Sequence, residues 1–85
     1  MTYRIETTET AQKEISKKLE AYLIDRLDKK VKKLEIDPRA YGKALKGPLA
    51  WVWELYFEKR WRILYTINEN QKLVTIVGLK HKDEF

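Results

Sequence analysis

The residues best equipped for chemistry lie in three alternating stretches: VWELYF from Val52 to Phe57, WRILYTI from Trp61 to Ile67, and LVTIVGLK from Leu73 to Lys80. Successive side chains of a strand point to opposite faces. Val52, Glu54 and Tyr56 then share a face, as do Arg62, Leu64 and Thr66, and likewise Val74, Ile76, Gly78 and Lys80. Tight turns at residues 58–60 and 68–71 would hold the register, so Glu54, Tyr56, Arg62 and Lys80 are expected to converge on one side of a sheet. A guanidinium offers a planar, permanently charged fork to two oxygens of an anion. A carboxylate can take a proton, and Lys80, His81 and Lys82 follow as a basic cluster in which His81 ordinarily titrates near neutrality. The same spacing also fits a plain cross-strand ion pair between Arg62 and Glu54, and three basic residues near a chain end are often only solvated.

The elements that would position these groups follow from the period of the apolar residues. Thr2 to Thr7 alternates, with Tyr3 and Ile5 on one face, and predicts a short strand. Ala11, Ile15, Leu19, Leu23, Leu27, Val31 and Leu34 then recur every three or four residues behind the possible N-cap hydroxyls of Thr7, Thr8 and Thr10. This pattern predicts helix from about residue 10 to 35, with a break near Leu19 to Tyr22, because one long helix is hard to bury against so short a sheet. Asp37-Pro38 ends the helical region. The stretch RAYGKALKGP that follows, punctuated by Gly42, Gly47 and Pro48, reads as a loop. Three strands and two short turns then make an antiparallel meander. Trp51, Trp53 and Trp61 fall on one face with Leu55, Phe57, Ile63 and Tyr65, and that face is expected to be core.

Composition bounds the function. Eighty-five residues are expected to form one domain, 1–85, with one helical layer on one sheet. Eighteen Lys and Arg against thirteen Asp and Glu give a net charge of +5, which favours an anionic partner. Three Trp, five Tyr and two Phe supply a core that a disordered basic tail would lack. The absence of cysteine excludes disulfides and thiolate metal sites. No apolar run approaches the roughly 18–20 residues needed to span a bilayer, and Thr2 to Thr10 is too polar for a signal peptide, so a cytoplasmic protein with no membrane partner is expected. The sequence has no Gly-rich phosphate loop, no paired histidines at metal spacing and no Ser/His/Asp arrangement, and neither a metal nor another cofactor is expected.

Several motifs, taken in order, carry a family resemblance. DPxxxGxxLxG runs from Asp37-Pro38 through Gly42 and Leu45 to Gly47; WEL at Trp53 to Leu55 precedes WRILY at Trp61 to Tyr65; the chain closes on GLKHKDEF. With the order strand, helical segment, three strands, the sequence resembles the RelE/ParE superfamily of bacterial and archaeal toxins over nearly its whole length. The resemblance implies an α+β fold of order βααβββ, its helical hairpin packed on one face of a small, mainly antiparallel twisted sheet. It also implies the toxin of a type II toxin–antitoxin system. In the RelE branch such a toxin is an endoribonuclease that cleaves messenger RNA in the ribosomal A site. The partners implied are a cognate RelB-like antitoxin, the ribosome and mRNA, with DNA reached only through the antitoxin complex.

Cleavage by the ribose 2′-hydroxyl needs a proton acceptor, positive charge on the phosphate and a donor for the leaving 5′-oxygen. Arg62 stands where the family has the arginine of YRxxY and is expected to grip the scissile phosphate. Lys80, His81 and Lys82 match the basic cluster after the last strand. Glu54 and Tyr56 replace two lysines of some relatives, and Glu54, Arg62 and His81 form a carboxylate–arginine–histidine set that other relatives use, with Glu54 either a general base or a salt-bridge partner. Phe85 stands where many members end on Tyr; its ring can stack on an unpaired base but has no hydroxyl to donate. Lys43 and Lys46 flank the approach to the cleft and are candidate RNA contacts. Lys29, Lys30, Lys32 and Lys33 lie on the outer helix face. A ParE-like inhibitor that binds DNA gyrase, or a non-catalytic member that binds antitoxin or nucleic acid, remains open on the sequence.

Overall fold

The computed structural model describes residues 2–84. Strand β1 (Arg4–Thr7) leads into helix α1 (Glu9–Lys18) through Thr8, an extended N-cap whose Oγ1 accepts from the Ala11 N–H at 3.1 Å. Glu9 in the first turn and Lys17 and Lys18 in the last complement the helix dipole. At Leu19 the backbone turns extended (φ −113°, ψ 139°), although its N–H still donates to the Ile15 carbonyl. Helix α2 (Ala21–Val31) starts two residues later and tightens into a 3-10 turn at Lys32–Glu35. The break therefore falls where expected, without Gly or Pro. A single helix over residues 10 to 35 would run about 39 Å, against a longest molecular extent of 33 Å. Buried Leu19 sits at the corner and joins the core of both helices.

Five strands are present among the described residues, in the order β1-β5-β4-β3-β2. These are β2 (Lys43–Ala44), β3 (Trp53–Phe57), β4 (Trp61–Asn68) and β5 (Leu73–His81), with β1 parallel to β5 and the other neighbours antiparallel. Ala11, Leu19, Leu27 and Leu34 pack against Leu55, Phe57, Ile63, Tyr65, Val74, Ile76 and Leu79, so the helical segments cover one face. This is the α+β arrangement the resemblance implied.

Three details differ from the sequence reading. Trp51 precedes β3, in the turn that follows the 3-10 segment Gly47–Leu49, and is 64% exposed; Trp53 and Trp61 do pack on the core. Inside the stretch read as loop, Lys43 and Ala44 add a short edge strand to β3. A methyl group on Gly42 would come within 1.7 Å of Tyr65 Oη, so only glycine lets this segment approach. The buried Tyr65 hydroxyl donates to the Pro38 carbonyl at 2.5 Å and latches the loop to the core.

The third difference matters most for the site. Strict alternation would place Lys80 on the face of Val74 and Ile76, both of which are buried in the core. In the structure Leu64 pairs with Gly78 but Tyr65 pairs with Ile76, leaving Val77 as a one-residue bulge. The bulge reverses the parity of β5. Val74 and Ile76 stay on the helix-covered face, while Gly78 and Lys80 turn to the other.

Candidate functional site

On the sheet face away from the core, three strands line up one cross-strand row: Tyr56 pairs with Arg62, and Arg62 with Lys80. The adjacent row holds Lys43, Glu54, Leu64 and Gly78. Glu54, Tyr56, Arg62 and Lys80 therefore share one face, with Lys43 at its β2 edge.

The side chains form a chain of charge and ring contacts. Arg62 Nη1 donates to Glu54 Oε2 at 3.3 Å, and the guanidinium lies over the Tyr56 ring, 4.2 Å from its centroid. Glu54 is only 6% exposed, whereas Tyr56 is 52% exposed. The carboxylate thus sits beneath the cation and the ring beside it reaches solvent. Such a pair presents a fixed, planar positive group at a surface, a geometry suited to a phosphate.

Lys80 is held from a different direction. Its Nζ donates to Glu14 Oε2 on α1 at 3.0 Å, while Glu14 Oε1 accepts from the Leu79 N–H at 3.3 Å. Lys18, one helical turn on, donates to the Leu79 carbonyl at 3.3 Å. Beyond Thr7 and Ile76 strand β1 has ended, and α1 supplies side-chain partners to the backbone of β5 that a further strand would otherwise supply. Burial alone would raise the Glu14 carboxyl, but the Lys80 and Leu79 hydrogen bonds with the charges of Lys80 and Lys18 outweigh it and hold Glu14 below its ordinary value.

The remaining expected residues do not join this row. The bulge that turns Lys80 outward carries His81 to the opposite face, opposite Trp61, where the two rings meet edge to face with centroids 5.1 Å apart. His81 Nδ1 accepts from the Asp83 N–H at 3.2 Å. The carboxylate–arginine–histidine set expected from the resemblance is therefore divided between the two faces. Lys82 is exposed in a 3-10 turn (Lys82–Glu84), its N–H donating to the Arg60 carbonyl at 2.7 Å. Lys46 is exposed on the connection after β2, and Phe85 lies outside the described residues. A groove past the end of β2, lined by Lys30, Tyr41, Gly42, Lys43, Glu54 and Tyr56, opens beside the row. Among the described residues no group of three His, Asp or Glu side chains is placed to hold a metal ion.

Sequence reasoning missed Glu14. With Lys18 it forms an i,i+4 pair (3.6 Å) of the kind that usually marks a solvated helix face. The available signal is positional: both residues flank Ala11 and Ile15, which pack inward.

No protein-family model and no functionally curated protein matches the sequence. Solved structures do. The chain is similar to one from a RelBE toxin–antitoxin complex of Mycobacterium tuberculosis, at 24% identity over 96% of this chain and 100% of that one, with a TM-score of 0.85. It is similar to one from an archaeal RelE–RelB complex of Pyrococcus horikoshii, at 21% identity over all of both chains, with a TM-score of 0.75. A YoeB/ParE toxin from Agrobacterium tumefaciens aligns at 13% identity over 92% of this chain and 96% of that one, with a TM-score of 0.78. The strand order, the helical hairpin on one face and these alignments together give this chain the RelE-like fold of the RelE/ParE toxins.

Proposed function

We propose that this protein is the toxin of a type II toxin–antitoxin pair and that it cleaves messenger RNA on the ribosome by directing attack of the RNA's own 2′-hydroxyl. The observation that carries this reading is the Tyr56–Arg62–Lys80 row with Glu54 beneath it. Arg62 and Lys80 neutralise the scissile phosphate as negative charge develops, and Lys80, whose ammonium can give up a proton as the guanidinium does not, is the donor to the leaving 5′-oxygen. Glu54 orients Arg62 and is the carboxylate on this face able to accept the 2′-hydroxyl proton. Tyr56, half exposed beside the guanidinium, offers a ring for an unstacked base. Lys43, with Lys46 and Lys82 farther out, contacts RNA phosphates at the margins; His81, on the Trp61 face, takes no direct part in proton transfer.

A protein lethal when free needs a neutraliser. An antitoxin segment that is acidic and apolar fits the +5 charge, and the RelE–RelB complexes among the similar structures support a protein partner of that kind. Its association should slow and weaken as salt rises.

Purified protein added to ribosomes programmed with a defined message should produce new mRNA ends at the A site, in a reaction that Arg62→Ala removes. DNA supercoiling by gyrase should be untouched. Intact message together with blocked supercoiling would replace this reading with a ParE-like one; neither effect would leave a binding protein without catalysis.

A further inference from the structure

We infer that Glu14, on the first helix, is a positioning residue for the reaction: it holds the Lys80 ammonium in the row beside Arg62 and fixes the bulged end of β5 that presents it. The inference rests on the proposed RNA cleavage at this face. The Glu14 side chain is 18% exposed and uses both oxygens, one on the Leu79 backbone N–H and one on Lys80. A carboxylate with two separate donors on two separate oxygens determines where both donors lie.

The placement has a reason. The bulge at Val77 turns Lys80 to the reactive face, and beyond it β4 pairs with β5 from Gly78 to His81, which holds one edge of that strand end in register. Strand β1 pairs only as far as Ile76, so the other edge of this end has no strand beside it. Glu14 and Lys18 take over by bonding the N–H and carbonyl of Leu79 from α1. Even the cross-strand glycine fits: a methyl group at Gly78 would meet Glu14 Oε1 at 3.3 Å, so the small residue leaves room for the carboxylate to pass. Lys18 shares Glu14 Oε2 at 3.6 Å and donates to the Leu79 carbonyl, while Lys80, at 3.0 Å from the same oxygen, is the cation that stands in the row.

Glutamine at position 14 keeps the size of the side chain but replaces one carboxylate oxygen with an NH2 donor, so Leu79 and Lys80 can no longer each keep an oxygen where they now stand. Glu14 touches no RNA in this arrangement, and removing its charge makes the surface more positive. Glu14→Gln should therefore lower the single-turnover cleavage rate by about 10- to 100-fold, the scale of a small misplacement of a reacting group, while KM stays the same or falls. The decisive comparison is a double-mutant cycle with Lys80→Gln on programmed ribosomes. If Glu14 acts through Lys80, Glu14→Gln slows the wild type but adds nothing in the Lys80→Gln background. Equal losses in both backgrounds, or a loss that tracks the unfolded fraction seen by circular dichroism, would overturn the assignment and make Glu14 a structural residue only. Wild-type protein that cuts no message, with Arg62→Ala as its control, overturns the cleavage reading itself, and the Glu14 role falls with it.

Discussion

Two clusters of carboxylate and cation stand in this molecule and behave differently. At the β4–β5 turn Glu69 accepts from the Tyr3 hydroxyl at 2.7 and 2.9 Å, from Lys72 at 2.9 Å, and from Arg39. One acid gathers donors from the segment before β1, the loop after Pro38 and the turn itself. Lys72 first, then Tyr3 and Arg39, hold the Glu69 carboxyl down at about 2. At the sheet, by contrast, Glu54 from β3 and Glu14 from α1 each bring one cation to the Tyr56–Arg62–Lys80 row and are themselves largely buried. Exposed ion pairs are screened and contribute little each, whereas partly buried ones are screened far less. Glu69 therefore works by connectivity, tying three chain segments at the surface, and Glu54 works by electrostatics, aiming a charge from below.

The largest effect that tests this contrast comes from Arg62. A truncation on a strand surface ordinarily costs little, but here it leaves Glu54 buried without its cation. Arg62→Ala should slow cleavage about 100- to 1000-fold, as loss of a charge-stabilising donor does, and should also destabilise the fold by about 3 kcal/mol, read from urea melts. Adding Glu54→Gln should restore much of the stability and none of the cleavage. Arg62→Ala protein as stable as the wild type would show that Glu54 does not depend on Arg62 and that the two clusters are alike.

How far this was legible beforehand depended on what sort of signal each feature leaves. The helical hairpin was readable because its apolar period is long and its length exceeds what the sheet can cover. Glu54, Tyr56 and Arg62 were readable as one face because the turn between their strands is tight. Lys80 was assigned to that face by an unbroken count of two through Val74 and Ile76, which the bulge at Val77 invalidates; the grouping of the four residues holds, but the count behind it does not. His81 was grouped with Glu54 and Arg62 by the family resemblance and not by a strand count, and as the neighbour of Lys80 along the strand it points to the opposite face. Strand β2 was missed because two residues carry no period. Glu14 left only its position beside the inward-packing Ala11 and Ile15, as its role depends on where β1 stops.

The second effect compares the two ties that hold the loop after Pro38: the buried Tyr65 hydroxyl bond and the exposed Arg39–Glu69 pair. Burial pushes the Tyr65 phenol up to about 12, with Asp37 adding to the rise and Arg39 opposing it, so the hydroxyl remains a donor across the physiological range. Tyr65→Phe leaves the Pro38 carbonyl without that partner and should cost about 1–3 kcal/mol. Gly42→Ala forces the same bond apart by contact and should cost a similar amount, with loss of amide protection at Lys43 and Ala44 in hydrogen exchange. Arg39→Ala should cost under about 1 kcal/mol. A reversed order would mean that the exposed node, not the buried latch, carries the loop.

A smaller effect concerns the ring beside Arg62. Tyr56→Leu removes the face on which the guanidinium lies but keeps apolar bulk on the strand. A partly exposed cation–π contact contributes about 0.5–1 kcal/mol, so cleavage should fall by roughly two- to fivefold through weaker orientation of Arg62, with a further loss if a base stacks there. Tyr56→Phe retains the ring and should behave as wild type. If phenylalanine is as damaging as leucine, the hydroxyl matters and Tyr56 touches the reacting groups directly.

The smallest effect isolates Glu69 by pH. Its folded-state value of about 2 lies below the ordinary 4.5, so its contribution is fully present above 4.5 and is lost as pH falls through the interval down to about 2. Glu14 is also held below its ordinary value and adds acid sensitivity of the same sign, so the useful quantity is the difference between wild type and Glu69→Gln with Glu14 intact in both. That difference in Tm should be small and constant from pH 7 to 5, shrink steadily as acid is added, and diminish throughout in high salt, since every partner of Glu69 is at the surface. Cleavage by Glu69→Gln should match the wild type at every pH at which both are folded. A salt-insensitive difference would mean the node is shielded from solvent, and a slower reaction would mean that tying the loop also sets the geometry of the row, so that connectivity and electrostatics are not separate in this fold.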